Sequence, residues 1–263
     1  MRVAEVIAKL LKAYALLSVL YLCVSQRIAA HNRQVFRNVF PSRTPTSVNL
    51  IVAHPDDETM FFSPTLLQLH VNYPPSVPLR VICLTNGDAD GLGAVREQEL
   101  RLSLQLLLPA RNTNVIVEGF EDGMGVEWDT QQVVATINRH VSDASPLLLT
   151  FDEHGVSGHI NHVSCNTAVS ALVEQREQRE QREQRFTALY LNSKRYFPPK
   201  YGSFVVDLAR IITGRQPPVF MSTFPQYLLS LAAMCNAHAS QMVWFRWGWW
   251  LASRFVFVNE LHG

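Results

Sequence analysis

Short apolar runs alternate with longer amphipathic stretches between residues 47 and 192. The apolar runs are rich in branched residues and are bounded by polar or turn-forming residues, a pattern that is typical of strands buried in a sheet. The predicted strands span residues 47–53, 78–85, 114–120, 146–151 and 186–192.

The stretches between these strands have apolar residues at helical spacing. The predicted helices span residues 59–70, with a break or a start near Pro64, and residues 94–108, 130–143 and 162–175. Strands that alternate with helices predict an α/β chain with a mostly parallel sheet and helices on both of its faces. The expected architecture is a Rossmann-like three-layer fold.

An apolar run at residues 13–24 precedes the predicted sheet. A membrane-spanning helix needs about 20 residues, and the run approaches that length because Lys9 and Lys12 can extend their charges to the membrane surface. A cleaved signal peptide has a similar pattern, with basic residues ahead of a short apolar core. We favour an uncleaved membrane anchor over residues 1–30.

The stretch at residues 31–47 is polar and basic and carries two prolines. This composition predicts a linker. The predicted catalytic domain then occupies residues 48–263, which is long enough for one large α/β domain.

Residues 174–185 repeat the triplet Glu-Gln-Arg four times. All three residue types favour helices, but a period of three does not match 3.6 residues per turn, so no face is apolar. The repeat predicts a solvated helical insertion ahead of the fifth strand, with an oligomerisation or docking surface as the weaker alternative.

Residues 241–261 hold four tryptophans among few charges. Tryptophan is favoured at membrane–water interfaces, so this stretch predicts an aromatic interfacial segment. An aromatic helix packed on the domain is an equal alternative.

Composition and charge narrow the class of protein. The chain is 48% hydrophobic and 17% charged, which fits a folded protein with some membrane contact. Its net charge of +1 gives no basic field that would point to nucleic acid as a partner. The four cysteines are scattered without a Cys-x-x-Cys pair, so they indicate neither a disulfide framework nor a cysteine-rich zinc site.

Polar clusters follow four of the predicted strands. "HPDDE" follows the first strand, "NGDADG" the second, "EDGM" the third and "DEHGVSGHINH" the fourth. In open α/β sheets, sites form at the carboxyl ends of the strands. We therefore expect these four clusters to converge at one edge of the sheet.

The cluster at residues 54–58 raises an electrostatic question, because adjacent carboxylates repel one another and are costly to bury. A metal cation, a solvated turn or an ion-pair network would offset that cost. A second cluster supplies His154, His159 and His162, and catalytic zinc commonly takes three ligands from histidines and carboxylates. One of the two adjacent aspartates can bind the metal while the other serves as a general base. Both clusters lie at strand ends, which favours the metal site.

Here the residues resemble a known family. "AHPDDE" at 53–58 and "TFDEHGVSGHINH" at 150–162 are similar to the LmbE/PIG-L family of zinc-dependent de-N-acetylases, as are "NGDADGLGAVREQEL" at 86–100 and "EDGM" at 121–124. "HASQMVWFR" at 238–246 resembles the eukaryotic membrane branch of that family. The resemblance covers about residues 48–260, with the Glu-Gln-Arg repeat as an insertion.

The resemblance implies a metal-dependent amidohydrolase that uses zinc, although other divalent metals also suit such a site. It implies that His54, Asp57 and His162 bind the metal and that Asp56 is the general base that deprotonates the attacking water. It further implies that His159 stabilises the tetrahedral oxyanion and protonates the leaving amine.

The resemblance also implies substrate contacts. Arg96 and Asp122 match positions that hold the sugar, and an arginine can pair with the phosphate of a lipid. Glu58 is expected to support its turn. His154 departs from the small residue of the membrane branch and receives no role, and Asn161 stands where bacterial relatives carry an aspartate.

The membrane branch acts on the glycolipid N-acetylglucosaminyl-phosphatidylinositol in the synthesis of glycosylphosphatidylinositol (GPI) anchors. The resemblance therefore implies a single-pass protein of the endoplasmic reticulum membrane with a cytosolic catalytic domain. The predicted anchor and aromatic segment disfavour the alternative, de-N-acetylation of a soluble N-acetylglucosamine conjugate. An inactive membrane adaptor is disfavoured because every catalytic position is present.

Overall fold

The computed structural model describes residues 2–40, 43–141, 144–178, 186–194, 196 and 199–263. Within these residues, seven strands form one sheet in the order β3-β2-β1-β4-β5-β7-β6. Strands β1 to β5 pair in parallel, and β7 is antiparallel to both β5 and β6. The strands are β1 Ser47–Val52, β2 Leu79–Cys83, β3 Thr113–Val117, β4 Pro146–Phe151, β5 Thr187–Leu191, β6 Val219–Met221 and β7 Val258–His262.

This sheet confirms the predicted α/β architecture. The five predicted strands are β1 to β5, and the two central strands β1 and β4 are buried along their whole length. Residues buried on both faces are expected for parallel strands that are covered by helices on each side. The prediction did not contain β6 and β7, which extend the sheet beyond β5.

The helices pack in two groups, with α6 against α8 and with α10 against α4 and α5. The predicted helix at residues 59–70 is two helices, α3 and α4, and Pro64 lies in the first turn of α4. The helices are α1 Arg2–Cys23, α2 Ser25–Val39, α3 Asp57–Met60, α4 Ser63–Asn72, α5 Gly93–Leu107, α6 Thr130–His140, α7 Gly155–Gly158, α8 Ile160–Gln178, α9 Phe204–Ile212, α10 Phe224–Asn236, α11 Arg246–Ala252 and α12 Arg254–Phe257.

Helix α1 is the one helix in the described part of the chain that is long and apolar enough to cross a membrane. The stretch Ala4–Cys23 has a mean hydropathy of 1.8, and most of its side chains are exposed. At its end, the Tyr21 hydroxyl donates to the carbonyl of Ser222 in the catalytic domain. The apolar N-terminal helix therefore exists and contacts the domain.

The predicted linker at residues 31–47 is wrong over its first half, because α2 is a helix that packs on the domain. The Asn32 amide donates to the Met221 carbonyl at 2.7 Å and accepts the Met221 N–H at 3.0 Å. His31 Nε2 lies 3.0 Å from the carbonyl of Val219. The polar side chains that suggested a linker instead pair with the outer edge of β6, which is the last strand of the sheet in the described part of the chain.

The C-terminal segment is divided between the core and the surface. Trp250 and residues 255–258 are buried, and β7 completes the sheet. The prediction of an interfacial segment over all of 241–261 is therefore too broad. Exposed aromatic residues remain at three positions, where the exposed fractions are 85% for Trp244, 57% for Phe245 and 50% for Trp247. We call these three residues the aromatic tip.

The Glu-Gln-Arg repeat begins as a continuation of α8, which runs to Gln178. The remainder of the predicted insertion, residues 179–185, lies outside the described residues.

Candidate active site

The loops that follow β1 to β4 meet at one edge of the sheet and surround a pocket of about 240 Å³. The four polar clusters of the sequence therefore converge as expected from the parallel topology. All seven residues that the sequence assigned to the site line this pocket. The lining consists of His54, Asp56, Asp57, Phe61, Arg96, Asp122, Ser157, His159, His162, Gln241 and Arg246.

His54, Asp57 and His162 form a compact and buried cluster. His162 Nε2 lies 3.2 Å from Asp57 Oδ1 and 3.3 Å from His54 Nδ1. His54 Nδ1 is 3.7 Å from Asp57 Oδ2. Three potential ligand atoms thus face one small volume, although more than a hundred residues separate the first and the last of them in the chain.

Neighbouring groups fix the orientation of each member of this cluster. The backbone N–H groups of Ala53 and His54 donate to Asp57 Oδ2 at 3.0 and 2.8 Å. His162 Nδ1 lies 3.1 Å from the Gly155 carbonyl and donates its proton to that oxygen. The lone pair of His162 Nε2 is therefore available to a metal. The ring of Phe151 stacks on His162 with centroids 4.0 Å apart.

The donor set fits a divalent cation. Two imidazole nitrogens and a carboxylate oxygen within 4.8 Å of one another are the ligand types that catalytic zinc takes. Burial acts to raise the pKa of Asp57, but His162 and His54 hold that pKa well below its usual range. Asp57 is consequently anionic and ready to bind a cation.

Asp122 supports His54. Its Oδ1 lies 3.0 Å from His54 Nε2, and Asn161 Oδ1 lies 3.2 Å from the same nitrogen. A carboxylate behind a ligating histidine fixes the tautomer and directs the other nitrogen towards the metal. Burial lowers the pKa of His54, and the carboxylates of Asp122 and Asp57 raise it above its ordinary value. A cation at Nδ1 would therefore displace a proton. Asp122 lines the pocket and pairs with His54, and its contact with the sugar stays a prediction.

Asp56 points into the pocket from a strained turn. Its φ is 119°, a value that residues with a side chain rarely adopt. Its N–H donates to Glu58 Oε2 at 3.1 Å, and its Oδ2 lies 3.1 Å from Arg246 Nη2 and 3.8 Å from Arg96 Nη2. Burial raises the pKa of Asp56, although the guanidinium groups of Arg246 and Arg96 oppose that shift. Asp56 is thus a buried carboxylate beside the proposed metal ligands, as a general base requires.

Glu58 belongs to a buried network behind the turn, which agrees with its predicted supporting role. Its Oε1 accepts hydrogen bonds from Ser103 Oγ at 2.6 Å and Thr59 Oγ1 at 2.7 Å, and lies 2.7 Å from His238 Nε2. Burial acts to raise the pKa of Glu58, but the charge and hydrogen bond of His238 lower it. An ion-pair network with His238 therefore offsets the cost of burying the Glu58 carboxylate.

His159 lines the same pocket as Asp56. The Asn161 N–H donates to His159 Nδ1 at 3.2 Å, so Nδ1 is unprotonated and Nε2 carries the proton. Burial, followed by the charges of His162 and His54, lowers the pKa of His159 to about 4. The neutral ring is a hydrogen-bond donor at neutral pH, which suits the stabilisation of an oxyanion.

Arg96 lines the pocket, and its guanidinium group also makes backbone contacts that the sequence does not predict. Its Nη1 donates to the Gly87 carbonyl at 3.0 Å and its Nη2 to the Pro55 carbonyl at 2.8 Å. A Cβ at Gly87 would lie 2.6 Å from the guanidinium carbon, so glycine makes room for this side chain. Arg96 therefore braces the loops after β1 and β2.

Reasoning from the sequence missed His238 and Arg246 as parts of the site. Both lie in "HASQMVWFR", which contributed to the family resemblance but follows no strand of the predicted sheet. His154 is a surface residue beside Glu153, in agreement with its having no assigned role.

Comparisons with known proteins agree with this geometry. A model of the PIG-L family, described as GlcNAc-PI de-N-acetylase, matches residues 49–173. The chain is 38% identical to N-acetylglucosaminyl-phosphatidylinositol de-N-acetylase of Saccharomyces cerevisiae, covering 98% of this chain and 94% of that protein. It is 33% identical to the protein of the same name from Bos taurus, with 81% of each chain covered.

The fold also has a solved counterpart. N,N'-diacetylchitobiose deacetylase from Pyrococcus horikoshii superposes with a TM-score of 0.56 at 15% identity, covering 89% of this chain and 91% of that chain. The family model and the identity to these relatives place the chain among the de-N-acetylases, and its sheet is Rossmann-like. Within that class, the chain belongs to the PIG-L family, as the resemblance of its motifs predicts.

Proposed function

We propose that this chain removes the acetyl group from N-acetylglucosaminyl-phosphatidylinositol, an early step of GPI-anchor synthesis, and that zinc is its metal. The observation that carries the proposal is the buried cluster of His54, Asp57 and His162 beside Asp56. The high identity to the yeast enzyme over nearly the whole chain supports the choice of substrate.

A bound divalent cation would be held by His54, Asp57 and His162, and it would supply polarisation of the amide carbonyl and a lower pKa for a water molecule. Asp56 accepts the proton of the attacking water. His159 Nε2–H donates a hydrogen bond to the oxygen on which negative charge develops. The proton held by Asp56 then becomes available to the amine as the C–N bond breaks, and acetate is released.

We also propose a location for the protein: the endoplasmic reticulum membrane, with the catalytic domain in the cytosol. Helix α1 would span the bilayer, and the aromatic tip would lie in the headgroup region where tryptophan is favoured. The tip stands in the segment that carries Arg246 into the pocket, so the pocket would open towards lipid headgroups.

Acetate release tests the proposed function. The full chain in detergent is expected to release acetate from N-acetylglucosaminyl-phosphatidylinositol, and a chelator is expected to stop this release until Zn²⁺ is restored. A strong preference for a water-soluble N-acetylglucosamine conjugate would overturn the lipid substrate. No acetate from either compound would favour an adaptor.

The aromatic tip gives a second prediction. The double variant Trp244→Ser/Phe245→Ser is expected to raise KM for the glycolipid in vesicles about tenfold, because two large aromatic groups no longer enter the interface. Its kcat/KM for a deacylated, water-soluble analogue is expected to match wild type. The control replaces Val71 and Leu102 with serine, since both are exposed apolar residues on other helices. An equal loss in both double variants would contradict a specific role for the tip.

A further inference from the structure

The pocket contains an unexplained cation, Arg246. Two arginines line the pocket among the described residues. Arg96 uses both of its terminal nitrogens on backbone carbonyls and is 9% exposed. The Arg246 side chain is 21% exposed and extends from the first residue of α11, at 3.1 Å from Asp56 Oδ2. The two guanidinium groups are therefore not equivalent, because the terminal nitrogens of Arg96 are held by backbone carbonyls and those of Arg246 meet only side chains.

The contacts of Arg246 leave it donor capacity. One terminal nitrogen lies 3.1 Å from Asp56 Oδ2, and the other contacts the sulfur of Met60, which is a weak acceptor. The buried Nε has no hydrogen-bond partner among the described residues. A partly buried arginine that is held only by a carboxylate and a thioether keeps donors that a ligand can use.

The charge of the pocket creates a need for such a group. Asp56, Asp57 and Asp122 all face the pocket, and a bound cation would offset the charge at Asp57, so an anionic group that enters beside Asp56 and Asp122 still needs a positive partner. The proposed substrate carries a phosphodiester one inositol ring away from the sugar. A guanidinium binds phosphate oxygens through two parallel hydrogen bonds, which makes arginine the preferred residue for this task.

The sequence around Arg246 places it at the level of lipid headgroups. Trp244, Phe245 and Trp247 flank it and are exposed. Aromatic residues of this kind settle at the membrane interface, where the phosphates of lipids also lie. Arg246 thus joins the interfacial segment to Asp56 inside the pocket.

We propose that Arg246 binds the phosphodiester of the glycolipid substrate, and that it exchanges its ion pair with Asp56 for this contact. The inference rests on the proposed function and adds the residue that selects a phosphorylated substrate. Substrate binding then frees Asp56 Oδ2 to face the attacking water, while Arg96 stays close to the carboxylate. A neutral sugar amide would enter the same pocket without this exchange.

Three substrates test the proposal: the glycolipid in phosphatidylcholine vesicles, its deacylated form N-acetylglucosaminyl-glycerophosphoinositol, and N-acetylglucosaminyl-inositol, which has no phosphate. In Arg246→Gln, the ratio of kcat/KM for the deacylated phosphodiester to kcat/KM for the neutral compound is expected to fall about tenfold or more. Arg246→Lys is expected to lose less, because it keeps the charge without the paired hydrogen bonds. The matched control is Arg215→Gln, an exposed arginine that does not line the pocket.

Inhibition gives a second readout. Glycerophosphoinositol is expected to inhibit hydrolysis of the neutral compound by wild type, and Arg246→Gln is expected to weaken this inhibition by a similar factor. An equal fall for the phosphodiester and the neutral compound would overturn the proposal and leave Arg246 as a positioning residue for Asp56.

The vesicle composition distinguishes the phosphate of the substrate from the phosphates of the bilayer. A loss in Arg246→Gln that appears only when the vesicles contain anionic lipid would show that the guanidinium binds the bilayer surface, which contradicts binding of the substrate. No acetate release by wild type from any of the three compounds would instead overturn the proposed function itself.

Discussion

Replacement of Asp56 by asparagine is expected to lower kcat by about 10³-fold while the metal stays bound. General-base catalysis typically contributes 10²–10⁴-fold, and an asparagine keeps the shape of the side chain but cannot accept the proton of water. Asp56 is not a member of the cluster formed by His54, Asp57 and His162. The three proposed metal ligands are therefore unchanged in the variant.

The measurement pairs acetate release with elemental analysis of the same purified preparations. Asp57→Asn and His162→Ala serve as contrasting variants, since each removes a ligand atom and is expected to lose metal and activity together. An Asp56→Asn variant that keeps more than about a tenth of wild-type kcat would contradict the role of general base. A variant that loses its metal would instead place Asp56 among the ligands.

Replacement of His238 by leucine is expected to destabilise the protein by about 3–5 kcal/mol. Glu58 and His238 are both completely buried, and removal of one partner leaves the other charge uncompensated in the core. The free energy of unfolding in denaturant would measure this loss. His154→Leu is the matched control, because His154 lies at the surface and substitutions there change stability by about 0.5 kcal/mol or less.

The pair also predicts a pH profile for stability. Burial acts against the charge of His238, but Glu58 raises its pKa above 6.5, so its contribution is full below pH 6.5 and is lost as the pH rises through the higher folded value. The pKa of Glu58 is lowered from 4.5, so its contribution is full above pH 4.5 and is lost as the pH falls. The contribution of the pair to the free energy of unfolding is therefore greatest between pH 4.5 and pH 6.5.

A double variant separates charge from packing. Glu58→Gln/His238→Leu removes both charges and is expected to be more stable than His238→Leu alone, because no unpaired carboxylate is left in the core. Equal instability of the single and double variants would show that the shape of His238 matters, and that its charge does not.

Local patterns were sufficient to predict β1 to β5, because each of these strands is a short apolar run followed by a polar loop. They were insufficient for β6 and β7. Strand β6 has only three residues and exists because β7 pairs with it on one side and α2 covers its other edge. Pairing between segments that are distant in the chain decides such elements, and no local pattern records it.

The candidate site likewise has residues that local patterns predict and residues that only distant contacts bring in. The strand-end rule brings His54, Asp57, His159 and His162 to one edge, since each follows a predicted strand. His238 is 180 residues from Glu58 in the chain, and its segment belongs to no predicted strand or helix. The hydrogen bonds from Arg96 to two backbone carbonyls likewise depend on the fold of the loops after β1 and β2.

The docking of α2 has a consequence for how the enzyme meets its substrate. A single residue, Val24, separates α1 from α2, and α2 is fastened to the edge of the sheet through Asn32. With α1 in a bilayer, the catalytic domain would have little freedom to rotate or to move away from the membrane. The pocket would keep a fixed distance and orientation relative to the lipid headgroups. The enzyme and its glycolipid substrate would then meet by diffusion in the plane of the membrane.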